Sequence, residues 1–276
     1  MGDARSIGVF DSGTGGLTVV RAIMDELPHE PVVYFGDHGR FPYGPRPLGE
    51  IRGFAIQIAR HLVDQDVKMI VVACNAATSA ALDEVADAVP VPVVGVIEPA
   101  VRSAVRATRN GLVGLIGTQA TVSSGAYQRV IDRLGPGTQM VAQACPLFVE
   151  FVERGDTTSS ALLRTAQEYL GPLQEAGVDT LILGCTHYPL LRGAIHHVMG
   201  PDVLLISSAE ETANDVYEVL ASKGLLAEED GDVPNVPTHR FESSGDPRMF
   251  SALGRRFLGP EFQRAVRVSL GGPEDD

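Results

Sequence analysis

A chain of 276 residues with 44% hydrophobic and 21% charged side chains carries enough apolar mass for one large or two ordinary domains, which excludes disordered and fibrous classes. The net charge of −13 argues against a nucleic-acid partner, which needs clustered Lys and Arg, and no apolar run approaches the roughly 20 residues that span a bilayer. Three scattered cysteines rule out a disulfide framework, and with no secretion signal at the N-terminus a cytoplasmic protein with free thiols is expected.

Strand-like apolar runs at 6–10, 31–36, 69–73 and 92–96 alternate with helical periods at 15–26, 48–64, 77–88 and 99–109. The pattern continues with strands at 112–116, 139–143, 180–184 and 203–206, separated by helices at 120–134, 147–154, 159–176 and 189–199. Ser207-Ser208 reads as the cap of a helix running to about Ser222, and a last helix is expected at 246–257. The acidic stretches Glu228-Glu229-Asp230 and Glu274-Asp275-Asp276 read as solvated surface. Strict alternation of this kind is the signature of an α/β fold with a mainly parallel, doubly wound sheet.

The two halves repeat one another. Ile7-Gly8-Val9-Phe10-Asp11-Ser12 parallels Val113-Gly114-Leu115-Ile116-Gly117-Thr118, and Ile70-Val71-Val72-Ala73-Cys74-Asn75 parallels Leu181-Ile182-Leu183-Gly184-Cys185-Thr186. Each half therefore ends one strand in a small hydroxyl-bearing turn and another in Cys plus a polar residue. Ligands of open α/β sheets bind beyond the carboxyl ends of the strands, so four such ends predict one cleft between two similar domains related by pseudo-twofold symmetry.

Cys74 and Cys185 each sit between a strand and a helix, where exposed N–H groups are expected to lower a thiol pKa from about 8.5. A lone cysteine is usually a small buried hydrophobe, but two in equivalent places suit a reaction that takes a proton from one face of a carbon and returns it to the other. Asp11 and His187 stand beside these positions and are candidates for tuning the thiols. Asp11 equally fits the cap of the helix beginning near Gly15, and His187 equally fits a packed imidazole. Ser12, Asn75, Thr118, Thr121 and Thr186 supply neutral donors for a carboxylated substrate, and Phe41-Pro42-Tyr43-Gly44-Pro45 forms a rigid loop that either covers the cleft or marks a turn. No cofactor is called for. Asp11-Ser12-Gly13-Thr14-Gly15-Gly16 lacks the third glycine of a dinucleotide fingerprint, no phosphate-loop lysine follows, and Cys185 with His187 lacks the further ligands of a metal site. Cys145 has no symmetric counterpart and reads as structural.

Phe10-Asp11-Ser12-Gly13-Thr14-Gly15-Gly16-Leu17, Gly36-Asp37 with Pro42-Tyr43-Gly44, Ala73-Cys74-Asn75, Gly117-Thr118 with Thr121, and Leu183-Gly184-Cys185-Thr186-His187-Tyr188-Pro189-Leu190 together resemble the glutamate racemase family from residue 7 to about 220. The resemblance implies cofactor-independent interconversion of L- and D-glutamate, supplying D-glutamate for peptidoglycan. It implies that Cys74 takes the proton of D-glutamate and Cys185 that of L-glutamate, assisted by Asp11, Glu153 and His187. It further implies substrate contacts from Asp11, Ser12, Tyr43, Gly44, Asn75, Ala76, Thr118, Thr121, Thr186 and His187, with no metal. The family's fold implies a discontinuous first domain, residues 1–97 plus 208–276, around a second at 98–207, and a homodimer is expected. Ala76 stands where family members usually carry Thr, so substrate binding is expected to be weakened. The competing readings are an aspartate or broad-specificity amino-acid racemase, a non-catalytic anion-binding module of the same fold, and a thiol redox enzyme, the last disfavoured by the absence of Cys-x-x-Cys.

Overall fold

The computed structural model describes residues 2–227 and 237–271. The acidic stretches at 228–230 and 274–276 lie outside the described residues. In chain order the first half holds β1 (Ile7–Asp11), α1 (Leu17–Glu26), β2 (Val32–Gly36), α2 (Leu48–Val63), β3 (Met69–Val72), α3 (Asn75–Ala88) and β4 (Val93–Gly95). The second half begins with α4 (Ile97–Ala107), β5 (Leu112–Gly117), α5 (Gln119–Ser123), α6 (Ala126–Leu134), β6 (Gln139–Ala144) and α7 (Pro146–Arg154). It continues with α8 (Ser160–Ala176), β7 (Thr180–Gly184), a 3₁₀ turn (Tyr188–Leu191), α9 (Arg192–Met199) and β8 (Leu204–Ser207). The chain then runs through α10 (Ser208–Lys223), β9 (Arg240–Ser243), α11 (Pro247–Leu258), a 3₁₀ turn (Gly259–Glu261) and β10 (Ala265–Arg267).

These strands form two sheets, in the orders β10-β9-β2-β1-β3-β4 and β6-β5-β7-β8, and every pairing is parallel. The segment β2-β1-β3-β4 thus has the same order as β6-β5-β7-β8, which is the sequence repeat expressed as topology. Two parallel-sheet α/β units are the fold class that the alternation of elements predicts. Parallel strands covered on both faces must be apolar throughout, and β1, β2, β3 and β7 are buried along their whole length. Burying each such Val, Ile or Leu contributes roughly 1.5–3 kcal/mol.

The helices α4 and α10 carry the chain between the sheets. Ile97, Ala100, Val101 and Ala104 of α4 pack with Ile182 and Ile206 of the second sheet, whereas Ala213, Val216 and Leu220 of α10 pack with Val19, Val20 and Ile23 of α1 beside the first. The last stretch of chain then adds β9 and β10 to the edge of the first sheet.

Three departures from the sequence-based reading have local causes. The helix expected over 120–134 is two helices, because Gly125 adopts φ 66° in the left-handed region and turns the chain. The helix expected from 189 opens as a 3₁₀ turn around Pro189 before α9 begins. Strands β9 and β10 were not expected at all. Arg240-Phe241-Glu242-Ser243 and Ala265-Val266-Arg267 are short and only partly apolar; the first becomes a strand because β2 offers an unpaired edge, and the second because β9 then offers the next.

Candidate active site

The registers align the strand ends that matter. Asp11 closes β1 opposite Gly36, Phe10 pairs with Val72, and the chain leaves β3 through Ala73 to Cys74. In the second sheet Gly117 pairs with Gly184, so Thr118 and Cys185 leave adjacent strands side by side. Cys74 and Cys185 both line one cavity of about 330 Å³, together with Ser12, Tyr43, Asn75, Thr118, Thr186 and His187. Each sulfur is nearly shielded from solvent, with 5% and 6% of the respective residues exposed.

The halves are stitched together around this cavity. Thr186 Oγ1 donates to Asp11 Oδ1 at 3.5 Å, Thr14 Oγ1 to Glu153 Oε1 at 3.4 Å, and Thr18 Oγ1 to the Thr186 carbonyl at 3.3 Å. Gly15 permits the approach, since any Cβ there would collide with Thr186 Oγ1 and His187 Nδ1. The Ala120 N–H donates to the Gly44 carbonyl at 2.9 Å, so the Phe41–Pro45 loop lies against the second half and lines the cavity. The Tyr43 hydroxyl donates to buried Asp37, which leaves its ring as a wall of the site.

Electrostatics separate the two thiols. At Cys74, burial and then the Asp11 carboxylate push the thiol pKa up, outweighing the Ala77 N–H and the Ser12 hydroxyl and N–H that favour thiolate. The expectation that the helix terminus would lower this pKa is corrected: desolvation of the whole group exceeds what a few oriented donors return. Beside Cys185, His187 Nδ1 lies 3.9 Å from Sγ, and Nε2 lies 2.7 Å from Glu153 Oε1. Burial opposes a charge on this imidazole, yet hydrogen bonds with Cys185 and Glu153 push its pKa up to about 10. Glu153 is held below its ordinary range, burial being overcome by the His187 hydrogen bond and charge. Near neutral pH the pair is imidazolium and carboxylate.

Of the remaining sequence-predicted residues, Gly44, Ala76 and Glu153 line the cavity, while Asp11 and Thr121 stand behind its wall. Asp11 Oδ2 accepts from the Gly13 N–H at 3.0 Å, and Thr121 Oγ1 is 3.1 Å from Thr118 Oγ1. Cys145 lies in the second core, pushed toward thiol chiefly by burial. Sequence reasoning missed Gln119, Pro146, Val149 and Glu150, which also line the cavity. Pro146, Val149 and Glu150 share α7 with Glu153, and their helical spacing was the available signal.

The family model for Asp/Glu/hydantoin racemases matches residues 14–216. The chain belongs to this family. A protein of Corynebacterium diphtheriae named glutamate racemase is 55% identical over 95% of this chain and 97% of its own. Among solved structures, glutamate racemase from Thermus thermophilus, in complex with β-chloro-D-alanine, superposes with a TM-score of 0.87 at 47% identity, covering 98% of this chain and 99% of that one. The Francisella tularensis enzyme in complex with D-glutamate gives a TM-score of 0.90 at 38% identity, covering 97% and 98%. The protein is thus an isomerase of the racemase family, and its relatives along nearly the full length are glutamate racemases. Among the described residues, no helix is long and apolar enough to cross a membrane.

Proposed function

We propose that the protein racemises glutamate by proton transfer between two cysteines and so supplies D-glutamate for peptidoglycan. The observation that carries the reading is that Cys74 and Cys185, reached from equivalent strands of two sheets, line one cavity. In one direction the Cys185 thiolate takes the Cα proton of L-glutamate, and the Cys74 thiol gives its own proton to the opposite face. Cys185 is then the thiol and Cys74 the thiolate, and D-glutamate reverses the sequence. His187 offers its Nδ1–H to Cys185 Sγ while Glu153 holds the ring in place. Ser12 and the Ala77 N–H offer donors to the thiolate that Cys74 becomes, while Asp11 favours its return to thiol. Asn75 Nδ2, buried with no partner, is a ready donor for a substrate carboxylate, with Ser12, Thr118 and Thr186 beside it on the wall.

The division into residues 1–97 plus 208–276 and 98–207 belongs to the same proposal, supported by the packing of α4 on the second sheet and of α10 and β9 with the first. So do a cytoplasmic location and a homodimer, the latter tested by sedimentation velocity, in which a monomer at micromolar concentration overturns it. The deciding experiment incubates L-glutamate, D-glutamate, L-aspartate and L-alanine separately with enzyme in deuterated water, following Cα deuterium by mass spectrometry and optical activity by circular dichroism. Deuterium entry with loss of optical activity for glutamate alone is expected. Turnover of aspartate at a comparable rate overturns the substrate assignment, and activity that survives Cys74→Ala or Cys185→Ala overturns the mechanism.

A further inference from the structure

One contact joins the two halves just behind the cavity wall. Tyr127 is 1% exposed and lies at the start of α6, and its hydroxyl donates to Asn75 Oδ1 at 2.6 Å, spanning 52 residues of sequence. Its placement depends on the break that separates α5 from α6. Ser124 Oγ donates to the Thr121 carbonyl and accepts from the Ala126 N–H at 3.1 Å, while Gly125 turns through φ 66°. A continuous helix over these residues would carry position 127 to a different azimuth. The phenol lies against the turn that leads to the other thiol, since a Cβ at Gly184 would stand 3.4 Å from Tyr127 Oη. Burial keeps the phenol protonated, and a thiolate at Cys185 would act in the same direction. The hydroxyl is therefore a permanent donor.

Only the carbonyl end of the Asn75 amide can accept that hydrogen. Once it does, the Nδ2 end must point the other way, and Nδ2 is buried without a partner while Asn75 lines the cavity. An unpartnered buried amide costs free energy that a ligand oxygen would recover. We propose that Tyr127 is a positioning residue: it fixes the orientation of the Asn75 amide, so that Nδ2 faces the substrate, and it braces the turn after Cys74 against the turn before Cys185. The inference rests on the racemase reading above and adds a specific task to a residue of the second half that holds no charge and transfers no proton.

The test is kinetic. Tyr127→Phe keeps the ring and removes the donor. KM for both enantiomers of glutamate should rise about tenfold, the worth of one good hydrogen bond, while kcat changes less than about threefold. In an Asn75→Ala background, which raises KM by itself, adding Tyr127→Phe should have no further effect on KM, because the amide it orients is gone. An equal loss in both backgrounds, or a fall confined to kcat, overturns the proposal. On the unmodified protein, the Asn75 side-chain amide protons should shift on adding D-glutamate in nitrogen-edited NMR, and unchanged resonances at saturation overturn it even if Tyr127→Phe fails to fold. Failure of the racemase reading is distinguishable, since the wild type would then show no turnover. A wild type that turns over alongside a Tyr127→Phe variant with unaltered KM removes the positioning role alone.

Discussion

At Cys74 the neighbouring charge is the Asp11 carboxylate and the donors are neutral; at Cys185 the neighbour is an imidazolium held by Glu153. The backbones that deliver the two sulfurs are repeats of one plan, with β1 and β3 standing where β5 and β7 stand in the second sheet. The repeat extends to the strand ends and the shared cavity, but not to the polar surroundings. The proposed two-thiol racemisation would account for both facts: two opposed faces of one carbon call for equivalent reach, but at any moment one sulfur must hold the proton and the other must lack it. On that proposal, the unequal polar surroundings serve this difference without breaking the geometry.

The strongest way to break the comparison is to remove either thiol. Cys74→Ala and Cys185→Ala should each lower racemisation by on the order of 10³-fold or more, measured by circular dichroism from both enantiomers. A large loss for one and a small loss for the other would mean that the sites are not partners. His187→Asn should follow, lowering kcat/KM by about 10²-fold. Because enantiomers are equal in free energy, kcat/KM must fall alike in both directions. The asymmetry belongs instead in kcat and in the Cα-deuterium isotope effect, which should rise more with L-glutamate, whose proton goes to Cys185, and an effect shared equally by both enantiomers would place His187 outside that half-reaction.

A third prediction uses pH. Folding raises the affinity of His187 for a proton from an ordinary 6.5 to about 10, so the stability this gives is complete below about pH 6.5 and is lost as pH rises through about 10. Glu153 is shifted the other way, and its share is present above its ordinary 4.5 and lost as pH falls through the lowered value. The gap in melting temperature between wild type and His187→Asn should therefore narrow between pH 7 and roughly pH 10.5, by scanning calorimetry. A constant gap would show that the ion pair contributes nothing. The smallest effect concerns Ala76, which lines the cavity beside Cys74 and offers no side-chain donor. Ala76→Thr should lower KM by about threefold to tenfold with little change in kcat, and an unaltered KM would show that other donors already satisfy the substrate.

Much of the frame is legible in the sequence. Residues 69–73 and 180–184 are continuous apolar runs that read as buried strands, and their shared Cys-polar ending marked two positions that the fold brings to one cavity. The local break at Gly125 was not legible, because a glycine inside a helical period is usually tolerated, and it is this break that aims Tyr127 at Asn75. Edge strands β9 and β10 were equally hidden, since β9 is extended only by virtue of β2, far away in sequence, and β10 only by virtue of β9.

From its sequence alone this protein has its alternation of strands and helices, its internal repeat, its two thiols and the polar residues after them. These follow from periodicity and from chemistry carried by single residues. The tertiary structure alone decided that Cys74 is pushed toward thiol rather than thiolate, that Asp11 and Thr121 stand behind the cavity wall, and that His187 pairs with Glu153. Proton affinity and hydrogen-bond partners depend on what is brought within a few ångströms and on how much water is removed, and neither quantity is a property of any one stretch of chain.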